Sequence, residues 1–133
     1  MLRLLIADGN DRAARDRHVA ATGRTSAESY AAVVRDLAPG SVCRHVNAAD
    51  ADATLPADLT DFDGLIFTGS TLKVSEGTPA VIRQLDLMRA AFVGLWKDAD
   101  FIRDYSNAVK AKPILVTGAD AQEVIAALGR EAA

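Results

Sequence analysis

The sequence predicts an α/β domain built around a mostly parallel sheet, and three observations carry that prediction. Short apolar runs without polar alternation recur at residues 2–7, 65–68 and 113–117. Such runs suit strands covered on both faces. Segments of helical spacing, each opened by a start signal, lie between them. The chain has 133 residues, half of them hydrophobic and a quarter charged. That length and composition fit one domain with its own core, and we expect residues 1–133 to form a single domain.

The elements follow in order. Residues 2–7 form strand one, stopped by Asp8-Gly9-Asn10-Asp11. Residues 11–24 are polar and only weakly periodic, so a long loop is expected, with room for a helical turn. Thr25-Ser26-Ala27-Glu28 has the spacing of a capping box, in which a hydroxyl caps free amides and Glu28 reaches back. A helix should follow with Tyr30, Val33, Val34 and Leu37 on one face, ending at Pro39-Gly40. Residues 41–46 read as strand two, and the acidic, Ala-rich stretch 48–60 as loop. Asp63-Gly64 leads into strand three at Leu65-Ile66-Phe67-Thr68.

Thr78-Pro79 is a helix start, with a hydroxyl at the cap and proline at the first helical position. That helix should reach about Ala91. Residues 92–96 are assigned to strand four. Asp98 caps a further helix through Phe101, Ile102, Tyr105 and Val109. Residues 113–117 are assigned to strand five, and Gly118 turns into a last helix with Val124, Ile125 and Leu128 on one face. The alternation, with right-handed crossovers, predicts a flavodoxin-like three-layer sandwich with a parallel five-stranded sheet in the order 2-1-3-4-5.

The totals exclude several classes. Net charge is −3, which gives no electrostatic footprint for nucleic acid or an anionic membrane surface. No apolar run approaches the roughly 20 residues of a membrane span. The single cysteine, Cys43, rules out an intrachain disulfide and any multi-cysteine metal site. The start of the chain is too soon acidic for a signal peptide. A cytoplasmic location is expected, as a monomer or homodimer, with no cofactor and no metal.

Leu4-Leu5-Ile6-Ala7-Asp8, the capped helix after Thr25, Asp63-Gly64, the strand Leu65-Ile66-Phe67-Thr68 with Gly69-Ser70, and the Thr78-Pro79 helix up to Phe92 resemble the N-terminal half of class I glutamine amidotransferase domains. The resemblance covers about residues 1–92. It implies that Gly69 stands where the family takes an oxyanion-hole amide. It also implies a strand followed by Gly-x-Cys-x-Gly, whose cysteine attacks the glutamine amide with help from a distant His and Glu. Neither available register supplies that cysteine. One reads Gly94-Leu95-Trp96-Lys97-Asp98, the other Val116-Thr117-Gly118-Ala119-Asp120. The resemblance thus implies the fold and opposes the activity. Residues 93–133 resemble a generic flavodoxin-like completion, as in a degenerate or truncated copy or an engineered chimera of two α/β folds.

Candidate ligand-binding residues gather where the strands end. Asp8, Asn10 and Asp11 follow strand one, in the position of the ligand crevice of open α/β sheets. Their carboxylates suggest cation binding, as in receiver domains, against a plain strand stop and solvated loop. Thr117 sits where receiver domains carry a hydroxyl, but Phe67, Thr68 and Gly69 replace the phosphoacceptor aspartate. Thr68, Gly69 and Ser70 offer hydroxyls and amides to a small anion, against ordinary turn chemistry. His18 and His45 lack metal-ligand spacing. Three functions therefore stand: a non-catalytic amidotransferase-like scaffold, favoured by the missing nucleophile; a small-ligand or anion-binding module in the crevice above strands one and three; and an enzyme using the carboxylates and hydroxyls of that crevice.

Overall fold

The computed structural model describes residues 1–56 and 58–131, with side chains in the last helix described as far as residue 127. The Leu128 side chain, expected on the apolar face of that helix, lies outside the described residues. The chain divides into two compact units, Met1–Phe92 and Val93–Ala133.

The first unit holds the sheet. β1 (Arg3–Ala7) is central, β2 (Val42–Val46) flanks it on one side and β3 (Gly64–Phe67) on the other. Both pairings are parallel, with Leu5 opposite Arg44 and Leu65, and Ile6 opposite His45 and Ile66. As the strand paired on both sides, β1 presents apolar side chains to both faces of the sheet. Leu5, Ile6 and Ala7 are fully buried. Leu5 and Ala7 pack with Val46, Ala48 and with Leu87 of α3 (Pro79–Leu95), while Leu55, Leu59, Phe62, Leu65 and Phe67 lie against that cluster. Ile6 packs on the opposite face with Ala27 and Ala31 of α2 (Ser26–Leu37), joined by Cys43 and Ile66. The period-two alternation of β1 thus sorts its residues into two cores.

The expected capping box is formed. Thr25 Oγ1 accepts from Glu28 N at 3.1 Å, and Thr25 N donates to Glu28 Oε2 at 2.6 Å. At the amino end of the sheet, Arg3 N donates to Asp63 Oδ2 at 2.7 Å. The Thr25 amide and hydroxyl hold the Glu28 carboxyl below its ordinary value of 4.5. The Arg3 amide and guanidinium hold Asp63 below 3.8. Both folded-state values are depressed, so these groups stabilise the fold above the ordinary carboxylate range and lose that contribution as pH falls through the lowered values. The urea midpoint should be level down to about pH 5 and decline below it, with a smaller decline in Thr25→Ala. A midpoint unchanged well below the ordinary carboxylate range would show that neither contact contributes.

Three expectations are corrected. Residues 11–24 are not a long loop: α1 spans Arg12–Thr22. Asp11 caps it by accepting from Ala14 N at 2.8 Å, and Gly23 closes it in the left-handed region at φ 80°. Residues 92–96 do not form strand four, since α3 runs through Leu95. No Gly or Pro separates Arg89-Ala90-Ala91 from Phe92, so nothing stops the helix there, and it runs on through Phe92-Val93-Gly94-Leu95 although these include weak helix formers. Residues 113–117 are not strand five. They follow α4 (Ala99–Val109), precede α5 (Gly118–Glu131), and form no ladder among the described residues. The expected five-stranded sheet is therefore a three-stranded one, whose order β2-β1-β3 is the first part of the expected 2-1-3-4-5.

The second unit is helical. Asp98 Oδ1 accepts from Asp100 N and Phe101 N and so caps α4. Trp96, Phe101 and Tyr105 stack along it with centroid separations of 5.6 and 5.8 Å. Among the described residues no helix is long and apolar enough to cross a membrane.

Candidate functional site

The carboxyl ends of β1 and β3 meet at Gly9. The Asp8 amide still pairs with Val46 O at 2.8 Å, one residue beyond the end of β1. The Asp8 side chain is fully buried. Its Oδ1 accepts from Asn10 N at 3.0 Å and its Oδ2 from Ala27 N at 3.3 Å, in the first turn of α2. A buried carboxylate is tolerated there because both oxygens meet backbone donors and the helix amino end favours negative charge. Asp8 thus fastens the end of β1 to the start of α2.

The opposite wall comes from the loop after β3. Thr68, which is buried, accepts from Gly9 N through Oγ1 at 2.9 Å and donates to Gly69 O at 3.2 Å. Ser70 Oγ donates to Gly9 O and accepts from Leu72 N at 3.0 Å. Asn10 Oδ1 accepts from Thr71 N at 3.3 Å. Gln84 Nε2 of α3 donates to Gly9 O at 3.1 Å. A Cβ on Gly9 would stand 3.0 Å from both Ser70 Cβ and Thr68 O. The two loops close on each other only because residue 9 has no side chain.

Of the seven candidate residues, Asp8, Asn10, Asp11, Thr68, Gly69 and Ser70 are thus brought to one place. Their polar side chains face inward to backbone groups, Asp11 serving as the cap of α1. Gly69 differs, with open space where a Cβ would stand. Thr117 belongs to the second unit, where its Oγ1 accepts from Asp120 N at 3.2 Å and its amide donates to Asp120 Oδ2 at 2.7 Å. It caps α5. Cys43 pairs with Leu4 near the amino end of β1, away from Gly9.

A second polar network escaped the sequence reading. Arg15 of α1 is buried and donates to Asp50 Oδ2 at 2.6 Å, to Asp50 Oδ1 at 3.3 Å and to Asn10 O at 3.0 Å. Arg12 bonds both Asp52 oxygens, at 3.1 and 3.0 Å. Arg12, Asp50 and Asp52 line a polar hollow of about 270 Å³ with His45, Asn47 and Thr54. The Arg12 guanidinium holds the Asp52 carboxyl below its ordinary value. Ligand pockets usually start near 300 Å³ and are mostly apolar, and here both carboxylates already hold arginines. Assigning residues 11–24 to loop hid Arg15, because only a helix turns position 15 back over Asn10. Among the described residues no group of three or more His, Cys, Asp or Glu side chains is placed to hold a metal ion. Comparison of the chain with protein-family models, with curated proteins and with solved structures finds no match.

Proposed function

We propose that this chain is a non-catalytic α/β scaffold of the class I glutamine amidotransferase type, degenerate or recombined beyond about residue 92. One observation carries the reading. The side chains of Asp8, Asn10, Thr68 and Ser70 are bonded to backbone groups of neighbouring loops and helix starts, so the crevice end of the sheet serves as a joint. A catalytic group needs a free face toward substrate and a base within reach. The chain's one thiol, Cys43, stands against the Ile6, Ala27 and Ala31 cluster, and among the described residues no hydrogen bond joins it to a histidine.

Purified protein incubated with glutamine should release ammonia at the buffer rate, and Cys43→Ser should not alter that rate. Release above buffer that Cys43→Ser abolishes would overturn the reading. The second reading, a small-anion module of the flavodoxin-like or receiver-like kind, draws on the open space at Gly69. A titration with inorganic phosphate followed by amide NMR separates the two. No saturable shift at residues 69–71 is expected for a scaffold, whereas a saturable one would favour the module.

A further inference from the structure

The helices that begin in the first unit are held by different forces. α2 puts Ala27 and Ala31 into the cluster around Ile6, and α3 puts Leu87 into the cluster around Leu5. Among the described residues, α1 gives neither cluster a side chain. Of its eleven residues only Ala14 and Arg15 are buried. Val19, its one large apolar residue, is 37% exposed. Most helical stability in proteins comes from packing an apolar face, and α1 has little of one to pack.

What α1 has instead is charge. Among the described residues, every hydrogen bond from this helix to a distant part of the chain runs from Arg12 or Arg15 to Asp50 or Asp52. The two carboxylates sit on a double turn, in which Asp50 N donates to Asn47 O at 3.0 Å and Ala53 N to Asp50 O at 3.3 Å. That turn is held to the core independently of α1. Ala48 is buried in the cluster around Leu5. Arg83 of α3 grips Ala49 O through Nη2 at 2.6 Å and Nε at 3.2 Å. The carboxylates therefore form a fixed base, and the arginines ride on the part that can leave. Joints bound that part. Asp8 and Asn10 stay fastened before it. Gly23 after it lies in the left-handed region, with nothing within 4 Å of where a Cβ would stand.

We propose that α1 is an ionic latch, a helix that opens from the Asp50–Asp52 turn as a unit while the sheet stays paired, with ionic strength setting how often it opens. Segments with few buried apolar contacts open below the free energy of global unfolding. The two ion pairs have different parts. Arg15 and Asp50 are buried, so salt screens them little, and they hold the helix in one position. The Arg12 and Asp52 side chains are 65% and 74% exposed, and dissolved ions screen that pair. Opening takes Arg12 out of the wall of the polar hollow and leaves Asp50 and Asp52 free to solvent beside His45, Asn47 and Thr54.

Amide hydrogen exchange on the full chain is the test. With intrinsic rates divided out, the amides of residues 16–22 should exchange at least about tenfold faster than those of Leu5, Ile6 and Ala7. Raising sodium chloride from about 0.01 to 1 M should speed the α1 amides about two- to fivefold and leave the β1 amides unchanged. Arg12→Gln should bring the same acceleration at low salt and abolish the response to salt, which a lost packing contact would not do. Val19→Ala should leave α1 exchange no faster. The proposal is overturned if α1 and β1 exchange together at every salt concentration, if salt leaves α1 unchanged, or if Arg12→Gln keeps the salt response. Faster α1 exchange in Val19→Ala also overturns it, since an apolar contact would then hold the helix.

Discussion

Replacing Asp50 with alanine is expected to destabilise the protein by about 3–5 kcal/mol, the range for breaking a buried ion pair from one side. The Arg15 and Asp50 side chains are only 9% and 8% exposed, and their closest contact is 2.6 Å. Removing the carboxylate leaves the guanidinium with one carbonyl partner, Asn10 O. Removing the guanidinium is less severe. In Arg15→Leu the carboxylate keeps Arg12, whose Nη2 lies 3.6 Å from Asp50 Oδ2. The double replacement Arg15→Leu/Asp50→Ala removes both charges together and should be more stable than Asp50→Ala, because no charge is then stranded. Urea denaturation of the three variants measures this. Costs that simply add would show that the two groups do not depend on each other.

Leu5→Ala is expected to cost about 2–5 kcal/mol, the usual range for a buried leucine. Leu5 is fully buried on the central strand, and the cluster around it joins the sheet to Leu87 and to the loop residues Leu55, Leu59 and Phe62. That loss is a large share of the roughly 5–15 kcal/mol that holds a typical domain together. Ile6→Val, on the opposite face, removes one methylene and should cost about 0.5–1.5 kcal/mol. Urea midpoints for both would rank the two cores. A Leu5→Ala cost below about 1 kcal/mol would mean that the loop is not packed on the sheet.

The first ninety residues were mostly legible because their signals are local. The unbroken run before Asp8, the Thr25 capping box, the Asp63-Gly64 entry and the Thr78-Pro79 start each announce themselves within a few positions, and the structure places an element at each. α1 was illegible because its stability is not in its periodicity. It rests on the Asp11 cap and on the Arg15 contact with Asp50, 35 positions away. Residues 113–117 show the reverse failure. Their composition favours extended backbone, and they are not helical, but a strand also needs a neighbour that composition cannot supply. Six of the seven candidate residues do sit at the ends of β1 and β3, where topology directs loops, and Thr117 does not. The direction of their side chains was not readable. Thr68 meets Gly9 across 59 positions and Gln84 meets Gly9 across 75, and neither residue type indicates inward bonding by itself.

The bonds at the two ends of the β1–β3 pair have a consequence for how the sheet assembles. Arg3 meets Asp63 at one end and Gly9 meets Thr68 at the other, joining residues 60 and 59 apart. A slip of one residue would break both bonds and turn each apolar side chain to the wrong face. The pairing is therefore all-or-none, and it follows closure of a sixty-residue loop whose entropy must be overcome before either bond forms. The transition state for folding should hold β1 and β3 already aligned, so substitutions at either end should slow folding more than they speed unfolding.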